Sequence, residues 1–329
     1  MRTRKIMALL CRIAAILILA GGTAARAAQN DPPETGWPRT LVNADGSRTT
    51  IPVRPKRILS TSVTITGTLL AIDAPLAASA SSANGLFFNQ WAAIAQKRGV
   101  KKLWPAGSVD LEAAYAAAPD LIVVSAGGGD SALAQLDELR QIAPTIVLDY
   151  GGQTWQQLAT VLSQATGLET QVAARLAEFD AYLAEARTKI AIPAGLANIV
   201  SYNGPGTLNP IATREGVHGR LLGALGFAVE SPQRGWHADG NPSNDFIRAQ
   251  YENLTELRAQ TTFLLSADDE RAKAFLRDPI LANLAAVKSG QVYGLGVNSF
   301  RIDYFSAREI VDGIVARFAK NRRPSDGRG

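Results

Sequence analysis

The stretch that decides the fold reads LETQVAARLAEFDAYLAEARTKI and covers residues 168–190. Its apolar side chains recur at intervals of four, four, three, four, three and four residues, which places them on one face of an α-helix. They are Leu168, Val172, Leu176, Phe179, Leu183, Ala186 and Ile190. No Gly or Pro interrupts the run, and Pro193 follows it. The sequence therefore predicts one straight amphipathic helix, about 34 Å long at the α-helical rise per residue.

Before this helix, short apolar segments alternate with helical patterns. The predicted strands cover residues 57–60, 76–80, 102–104, 121–125 and 146–150. Strands separated by helices indicate βαβ units, and hence a mainly parallel sheet with both faces covered. Because ligands of such sheets bind beyond the carboxyl ends of the strands, the candidate binding loops are residues 61–64, 81–89, 105–108 and 126–130.

After the helix, the order of elements repeats. Residues 110–150 predict helix, strand, helix and strand, and residues 251–295 predict the same order, with one helix over residues 271–287. We therefore expect two similar α/β lobes that face each other across a cleft. The expected division is an N-terminal lobe over residues 28–167, the linking helix over 168–190 and a C-terminal lobe over 191–329.

The first 27 residues have the pattern of a secretory signal peptide. Basic residues come first, an apolar run from Ile6 to Ala20 follows, and Ala25-Arg26-Ala27 is a small-x-small cleavage pattern. Cys11, the single cysteine of the chain, lies inside this segment. Cleavage near Ala27 predicts a periplasmic protein without cysteine, which suits an oxidising compartment.

The positive net charge of the whole chain comes from the signal peptide. Five of the 34 basic residues precede the cleavage site, so 29 remain against 29 acidic residues. The five basic residues before the cleavage site are Arg2, Arg4, Lys5, Arg12 and Arg26. A formally neutral mature chain gives no electrostatic reason to expect a nucleic-acid partner.

Motifs for catalysis or for a bare metal ion are absent from the sequence. The glycines at 127–129 do not continue into GxGxxG or a P-loop, and HExxH is missing. The two histidines, His218 and His237, are too few for a typical zinc site. A secreted α/β hydrolase remains the alternative of another class, although no GxSxG motif supports it.

Ordered runs along nearly all of the mature chain carry a resemblance to a known family. They are Asn43–Gly46, Pro55–Ile58, Ser60–Thr64, Gly67–Pro75, Pro119–Ile122, Gly128–Leu133, Ala286–Lys288, Gln291–Tyr293 and Phe300–Tyr304. These runs resemble the substrate-binding proteins of siderophore, haem and cobalamin importers, and the ferric-enterobactin binders in particular. The resemblance implies a class III periplasmic binding protein fold, in which two Rossmann-like α/β lobes are joined by one long rigid helix.

The same resemblance implies a function. The chain would bind a ferric siderophore of catecholate type in the periplasm, and would deliver it to the permease dimer of an inner-membrane ABC importer. It would act as a monomer without catalysis or cofactor, and iron would enter only as the siderophore chelate. Haem or another metal chelate is the alternative ligand within the binding class.

The first candidate for contact with the ligand is Arg301. It follows the predicted strand 291–295 at the end that should face the cleft, and a guanidinium suits an anionic, aromatic chelate. Tyr304 is a candidate support. In the enterobactin binders the loop after the second strand carries an arginine, whereas residues 79–90 here contain no charge. Those binders also carry an aromatic residue near position 209 and basic residues before Asp245, where this chain has Asn209 and the pair Pro242-Ser243. The further candidates are Asn84, Phe87, Phe88, Asn209, Arg234, Trp236 and His237.

Acidic residues follow equivalent strands in the two predicted lobes. Asp130 follows strand 121–125, and Asp268, Asp269 and Glu270 follow strand 263–266. The resemblance implies that an acid on each lobe meets arginines of the permease dimer, so these four are the candidate docking residues. The same acids also suit helix N-termini, where a carboxylate offsets the helix dipole.

Overall fold

The N-terminal lobe consists of a hairpin followed by a sheet with helices on both faces. The computed structural model describes residues 35–240 and 244–320. The elements of this lobe are β1 (Arg39–Val42), β2 (Arg48–Ile51), β3 (Ile58–Ser60), α1 (Val63–Ala71), β4 (Leu76–Ser81), α2 (Asn89–Lys97), β5 (Lys101–Pro105), α3 (Leu111–Ala116), β6 (Leu121–Ser125), α4 (Leu136–Ile142), β7 (Thr145–Leu148) and α5 (Trp155–Thr166).

The five strands after the hairpin form a parallel sheet in the order β5-β4-β3-β6-β7. All five residues of β6 are buried, as expected for a central strand covered on both faces. Because the strands are parallel, their carboxyl ends lie at one edge, where the predicted binding loops begin. The sequence prediction of a parallel α/β sheet is confirmed.

The predicted linking helix is α6 (Glu169–Lys189), which Leu168 and Ile190 flank as caps. Six of the seven apolar positions of its stripe are buried in the largest core cluster, and Leu176 packs against the same cluster. Gly167 ends α5 with φ 70°, a left-handed conformation that favours glycine. The chain can therefore change direction there before α6 begins.

The C-terminal lobe begins after α6. Its elements are β8 (Leu196–Val200), β9 (Asn209–Ala212), α7 (Val217–Leu225), β10 (Ala228–Val229), β11 (Phe246–Ala249), β12 (Thr261–Leu264), α8 (Asp269–Leu276), α9 (Ala285–Lys288), β13 (Val292–Gly294) and α10 (Tyr304–Phe318). The main strand order is β11-β9-β8-β12-β13, with β10 also paired to β8. β8, β10, β12 and β13 are parallel, and β9 and β11 add an antiparallel edge.

Two features of this lobe differ from the sequence prediction. β9 contains Pro210, whose missing N–H argues against a strand, so the pattern does not reveal it. Residues 271–287, predicted as one helix, are divided between α8 and α9. Pro279 disfavours helical backbone at the residue before it, and the carboxylate of that residue, Asp278, accepts hydrogen bonds from the hydroxyls of Tyr202 and Tyr251.

The two lobes share one hydrophobic core. α6 packs against α5 of the first lobe and α7 of the second. α10 packs against α6 and also against α1 and α2 of the first lobe. At its other end, the ring of Phe318 lies 5.8 Å from Phe227 and 5.5 Å from Tyr293 of the second lobe. Two helices therefore bridge the lobes.

The predicted signal peptide lies outside the described residues. Within residues 35–240 and 244–320, no helix is long and apolar enough to cross a membrane.

Candidate ligand-binding cleft

The candidate site is the cleft between the lobes, which holds two adjoining cavities. The first cavity has a volume of about 560 Å³ and the second about 600 Å³. The N-terminal lobe contributes loops that follow β3, β4, β6 and β7, as the parallel topology predicts. The C-terminal lobe contributes the start of α7, parts of the segment 237–248 and the loop after β13. Phe300 and Arg301 line both cavities.

Arg301 lies where the sequence predicts it, in the cleft at the boundary between the cavities. Its guanidinium carbon lies 5.3 Å from the ring centroid of Phe300 and 5.8 Å from that of Tyr150 in the opposite lobe. No described carboxylate lies within ion-pair distance of it. Because the side chain is exposed to the cleft, this cation is available to an anionic ligand.

The backbone around Arg301 is held from two sides. Nε2–H of the buried His218 donates to the carbonyl of Ser299 at 2.8 Å, and the hydroxyl of Ser299 accepts the backbone N–H of Ser266 at 3.0 Å. On the other side, the hydroxyl of Ser306 donates to the carbonyl of Arg301 at 2.7 Å. Burial lowers the pKa of His218 to about 4, so its imidazole is neutral near pH 7.

The carboxylate of Asp303 connects this loop to the first lobe. One oxygen accepts the backbone N–H groups of Phe305 and Ser306 at 2.9 Å, which caps α10. The other accepts Nε2–H of Gln90, on α2 of the first lobe, at 3.1 Å. Burial raises the pKa of Asp303 to about 6, although these hydrogen bonds favour the charged form.

Tyr150 faces Arg301 from the first lobe and is held by a buried acid. Its hydroxyl donates to Asp130 at 2.8 Å. Desolvation raises the pKa of Tyr150 to about 12. A side chain at Gly128 would collide with Tyr150, since an ideal Cβ there would lie 1.7 Å from the Tyr150 hydroxyl oxygen. Gly128 therefore permits the close packing that places this ring in the cleft.

Asp130 itself corrects a prediction. The sequence suggests it as a docking residue, but its side chain is buried. Besides Tyr150, its carboxylate accepts the hydroxyl of Ser62 at 2.7 Å and the backbone N–H of Thr64 at 2.9 Å. These three bonds hold Asp130 at the start of α1, so it does not offer a charge to a partner.

The second cavity contains the three candidates from the loop after β4. Asn84, Phe87 and Phe88 line it, as the sequence predicts. The side-chain oxygen of Asn84 accepts hydrogen bonds from Ser82 and from the backbone of Leu86, so this residue shapes the loop. The two phenylalanine rings pack on the buried Trp91. The loop therefore presents a supported aromatic wall.

The segment from Arg234 to His237 is only partly in the site. His237 lines the first cavity. Arg234 and Trp236, predicted as ligand contacts, line neither cavity. Arg234 is exposed elsewhere, and Trp236 packs against the core of the C-terminal lobe, which explains why an indole occurs in this loop.

Tyr304 and Asn209 also lie outside the cleft cavities. Tyr304 is buried behind the Arg301 loop, where its ring contacts Trp155 at 5.3 Å and its hydroxyl accepts from Arg308 at 3.0 Å. Asn209 is fully buried, and its amide bonds the backbone of its own turn. Both predictions of ligand contact are corrected because these side chains stabilise the fold.

The three candidate docking acids of the C-terminal lobe differ in the groups that they contact. Asp268 is the N-cap of α8 and accepts the backbone N–H of Arg271 at 2.9 Å. Asp269 forms an ion pair with Arg317 at 2.5 Å. Glu270 pairs with Lys273 at 2.7 Å, yet its side chain is 76% exposed. All three lie at the surface, so their docking role stays a prediction.

Comparison with known proteins assigns the family. The Periplasmic binding protein family model matches residues 58–298, a span that includes the linking helix and most of both lobes. The chain belongs to the periplasmic binding protein family. Its fold is that of the two-lobed members joined by a long helix.

Individual periplasmic binding proteins support this assignment. The chain is 39% identical over 312 residues to the ferric enterobactin-binding periplasmic protein FepB of Escherichia coli O6:H1, a match that covers 92% of this chain and 95% of FepB. It is 55% identical to the crystal structure of holo-ViuP, with a TM-score of 0.84, covering 86% of this chain and 96% of ViuP. FhuD of S. pseudintermedius, at 17% identity and a TM-score of 0.68, shares the fold.

Sequence reasoning missed Tyr150 and Asp245, which both line the first cavity. Tyr150 follows β7 at the cleft edge, so the positional rule that selected Arg301 could have selected it too. Asp245 precedes β11, a strand that the pattern does not reveal. No signal in the sequence therefore placed Asp245 in the cleft.

Proposed function

We propose that this chain binds a ferric siderophore of catecholate type between its lobes in the periplasm, and delivers it to an inner-membrane ABC importer. The observation that carries the proposal is Arg301, a cation without a described carboxylate partner, in a cleft flanked by aromatic rings. The 39% identity to a ferric enterobactin-binding protein, over 92% of the chain, supports the same ligand class.

The chemistry of the cleft suits such a ligand. A ferric catecholate is anionic and aromatic, and a guanidinium can donate hydrogen bonds to its oxygens while it lies on an aromatic face. Tyr150 and Phe300 lie on two sides of Arg301 and offer further faces for catechol rings. We propose that iron arrives already chelated, and that the protein contributes neither a cofactor nor a catalytic group.

Delivery requires a surface that the permease can recognise. We propose that the monomer presents the C-terminal lobe acids Asp268, Asp269 and Glu270 to basic residues of the permease dimer. Their position at the start of α8, next to the carboxyl end of β12, places them at the cleft side of the lobe. The permease could therefore contact them and the bound ligand from the same direction.

Titration of the mature protein tests the proposal. Trp155 lines the first cavity, and Trp91 lies behind the aromatic wall of the second, so a bound chelate should quench tryptophan fluorescence. We expect saturable quenching by ferric catecholates at micromolar or lower concentrations. Quenching by haem and by no ferric siderophore, with a Soret band on reconstitution, would identify haem as the ligand instead of a siderophore. Absence of binding by every ferric chelate would refute the proposal.

A further inference from the structure

The charged side chains that line the first cavity are balanced. Arg301 and Arg248 are the cations, and Asp239 and Asp245 are the anions, among the described lining residues. Arg248 already pairs with Asp239, with 3.1 Å between its Nη1 and the carboxylate oxygen. Arg301 is therefore the one described lining cation without a carboxylate partner.

Asp245 is an acid of the cleft lining that has no cationic partner among the hydrogen bonds it accepts. Its carboxylate accepts the backbone N–H of Val217 at 3.1 Å and that of Gly152, from the opposite lobe, at 3.3 Å. Neither partner is a cation. Asp130 adds a second acid directly behind Tyr150. An anionic ligand in the first cavity therefore contacts one acid without a cationic partner, Asp245, as well as Arg301, while Asp130 stays buried behind Tyr150.

The other titratable groups that face the first cavity do not add positive charge. Tyr150 keeps its proton at neutral pH because burial raises its pKa to about 12. His218 is neutral because burial lowers its pKa to about 4. Both ring nitrogens of His237 have partners, the carbonyl of Asp239 and the backbone N–H of Arg248, and accepting the latter requires a neutral ring.

The second cavity has no charged lining residue among those described except Arg301. Its lining combines uncharged polar residues with apolar side chains from both sides of the cleft. Leu86 of the first lobe is 55% exposed and Val297 of the second is 57% exposed, so each presents an apolar side chain to the cleft. Both line this cavity together with Phe87 and Phe88. The cavity is therefore suited to an uncharged aromatic or aliphatic group.

From these observations we infer that the cleft selects a ferric chelate with a single net negative charge, whose iron centre lies beside Arg301 and whose uncharged arm occupies the second cavity. The inference rests on the proposed function and narrows its substrate class. Binding would move a trianionic tris-catecholate from water into a cavity whose described lining offers one cation without a carboxylate partner. The remaining ligand charge would be desolvated without compensation, which costs binding free energy.

The first test compares chelates of different charge. Fluorescence titrations would use a trianionic ferric tris-catecholate, a monoanionic ferric bis-catecholate and a neutral ferric tris-hydroxamate, at several salt concentrations. We expect the monoanion to bind at least about tenfold more tightly than the trianion, because a tenfold difference in Kd requires only a modest difference in electrostatic binding free energy. Equal or tighter binding of the trianion, or tighter binding of the neutral chelate than of the monoanion, would overturn the inference while leaving the proposed function intact. Failure of all three would refute the proposed function instead.

A second test changes the charge of the cleft, because the chelates differ in size as well as charge. Leu86→Arg and Val297→Arg each add a cation to the second cavity, and Ile280→Arg adds one at a site outside both cavities with a matched exposure of 56%. We expect both cleft variants to shift the trianion-to-monoanion affinity ratio toward the trianion by about tenfold. Ile280→Arg should leave the ratio unchanged. An unchanged ratio in both cleft variants would overturn the inference.

Discussion

Substitution of Gly67 by alanine tests how closely the lobes are joined near the binding loop. Gly67 lies in α1 of the first lobe, and an ideal Cβ there would be 2.5 Å from a carboxylate oxygen of Asp303 and 3.0 Å from Nε1 of Trp91. Asp303 is only 3% exposed, and its other oxygen caps α10. The added methyl must therefore move α10 away from α1 or break the hydrogen bond from Gln90.

Two opposing effects set the magnitude. Alanine is favoured over glycine inside a helix by about 0.5 to 1 kcal/mol. Overpacking of a rigid contact typically costs about 1 to 3 kcal/mol. We expect the clash to dominate, so that Gly67→Ala lowers the free energy of unfolding by about 1 to 2 kcal/mol. Gly313 is the matched control, because it lies in α10 with nothing within 4 Å of an added Cβ. Gly313→Ala should be stabilising by about 0.5 to 1 kcal/mol.

Urea denaturation of the two variants measures this difference. Since Arg301 lies two residues before Asp303, Gly67→Ala should also weaken binding of a ferric siderophore, whereas Gly313→Ala should not. If Gly67→Ala stabilises the protein as much as Gly313→Ala does, α10 does not pack on α1 as described. Normal affinity in a destabilised Gly67→Ala variant would show that the contact between α1 and Asp303 does not determine the position of Arg301.

Three further predictions concern pH, closure and docking. Between pH 4 and 6, Asp303 stays protonated in the folded state but is ionised in the unfolded state, so its contribution lowers the free energy of unfolding by about 3 kcal/mol as pH rises. The depressed pKa of His218 has the opposite effect, because the unfolded state binds a proton that the folded state does not. Its contribution raises the free energy of unfolding by a similar amount between about pH 4 and 6.5. Relative to wild type, His218→Gln should therefore lose stability as pH rises and Asp303→Asn should gain it; parallel urea-denaturation profiles would contradict both assignments. Because α6 and α10 both bridge the lobes, loading with siderophore should change the small-angle scattering profile little, and a large compaction would contradict a rigid linkage. Glu270→Lys should leave affinity unchanged but reduce stimulation of the importer's ATPase, whereas Glu185→Lys, which breaks a comparable exposed ion pair on α6, should reduce neither; full stimulation by Glu270→Lys would remove that acid from the docking surface.

The periodic parts of the fold could be predicted from sequence because a single geometric rule governs each of them. The apolar stripe of α6 sets one helix face, and the alternation of strands and helices sets a parallel sheet with its ligand edge. Arg301 follows from the same rule, since it comes just after a parallel strand. The antiparallel pair β9 and β11 was not predicted, because both strands are short and Pro210 in β9 is atypical of a strand.

The roles of individual polar side chains could not be predicted in the same way. Asp130 and Asp268 follow equivalent strands, yet the first is buried at the start of α1 and the second remains at the surface. Two neighbouring loops separate them, because the loop after β3 brings Ser62 to Asp130 and the loop after β7 brings Tyr150. Tyr304 likewise begins a helix whose buried face depends on α6. Such contacts join residues far apart in the chain, and no local pattern encodes them.

The affinity of Arg301→Ala for a ferric siderophore tests whether the Arg301 guanidinium binds the ligand in the cleft. Removal of a charge-assisted donor from a desolvated anion costs about 2 to 5 kcal/mol for buried pairs; because Arg301 is exposed before binding, we expect the lower end, about 30-fold. Arg258, another exposed arginine of the C-terminal lobe that lines neither cavity, provides the control. We expect weaker binding in Arg301→Ala, partial recovery in Arg301→Lys and wild-type binding in Arg258→Ala. Equal affinity of Arg301→Ala and wild type for a siderophore that binds saturably would contradict this expectation.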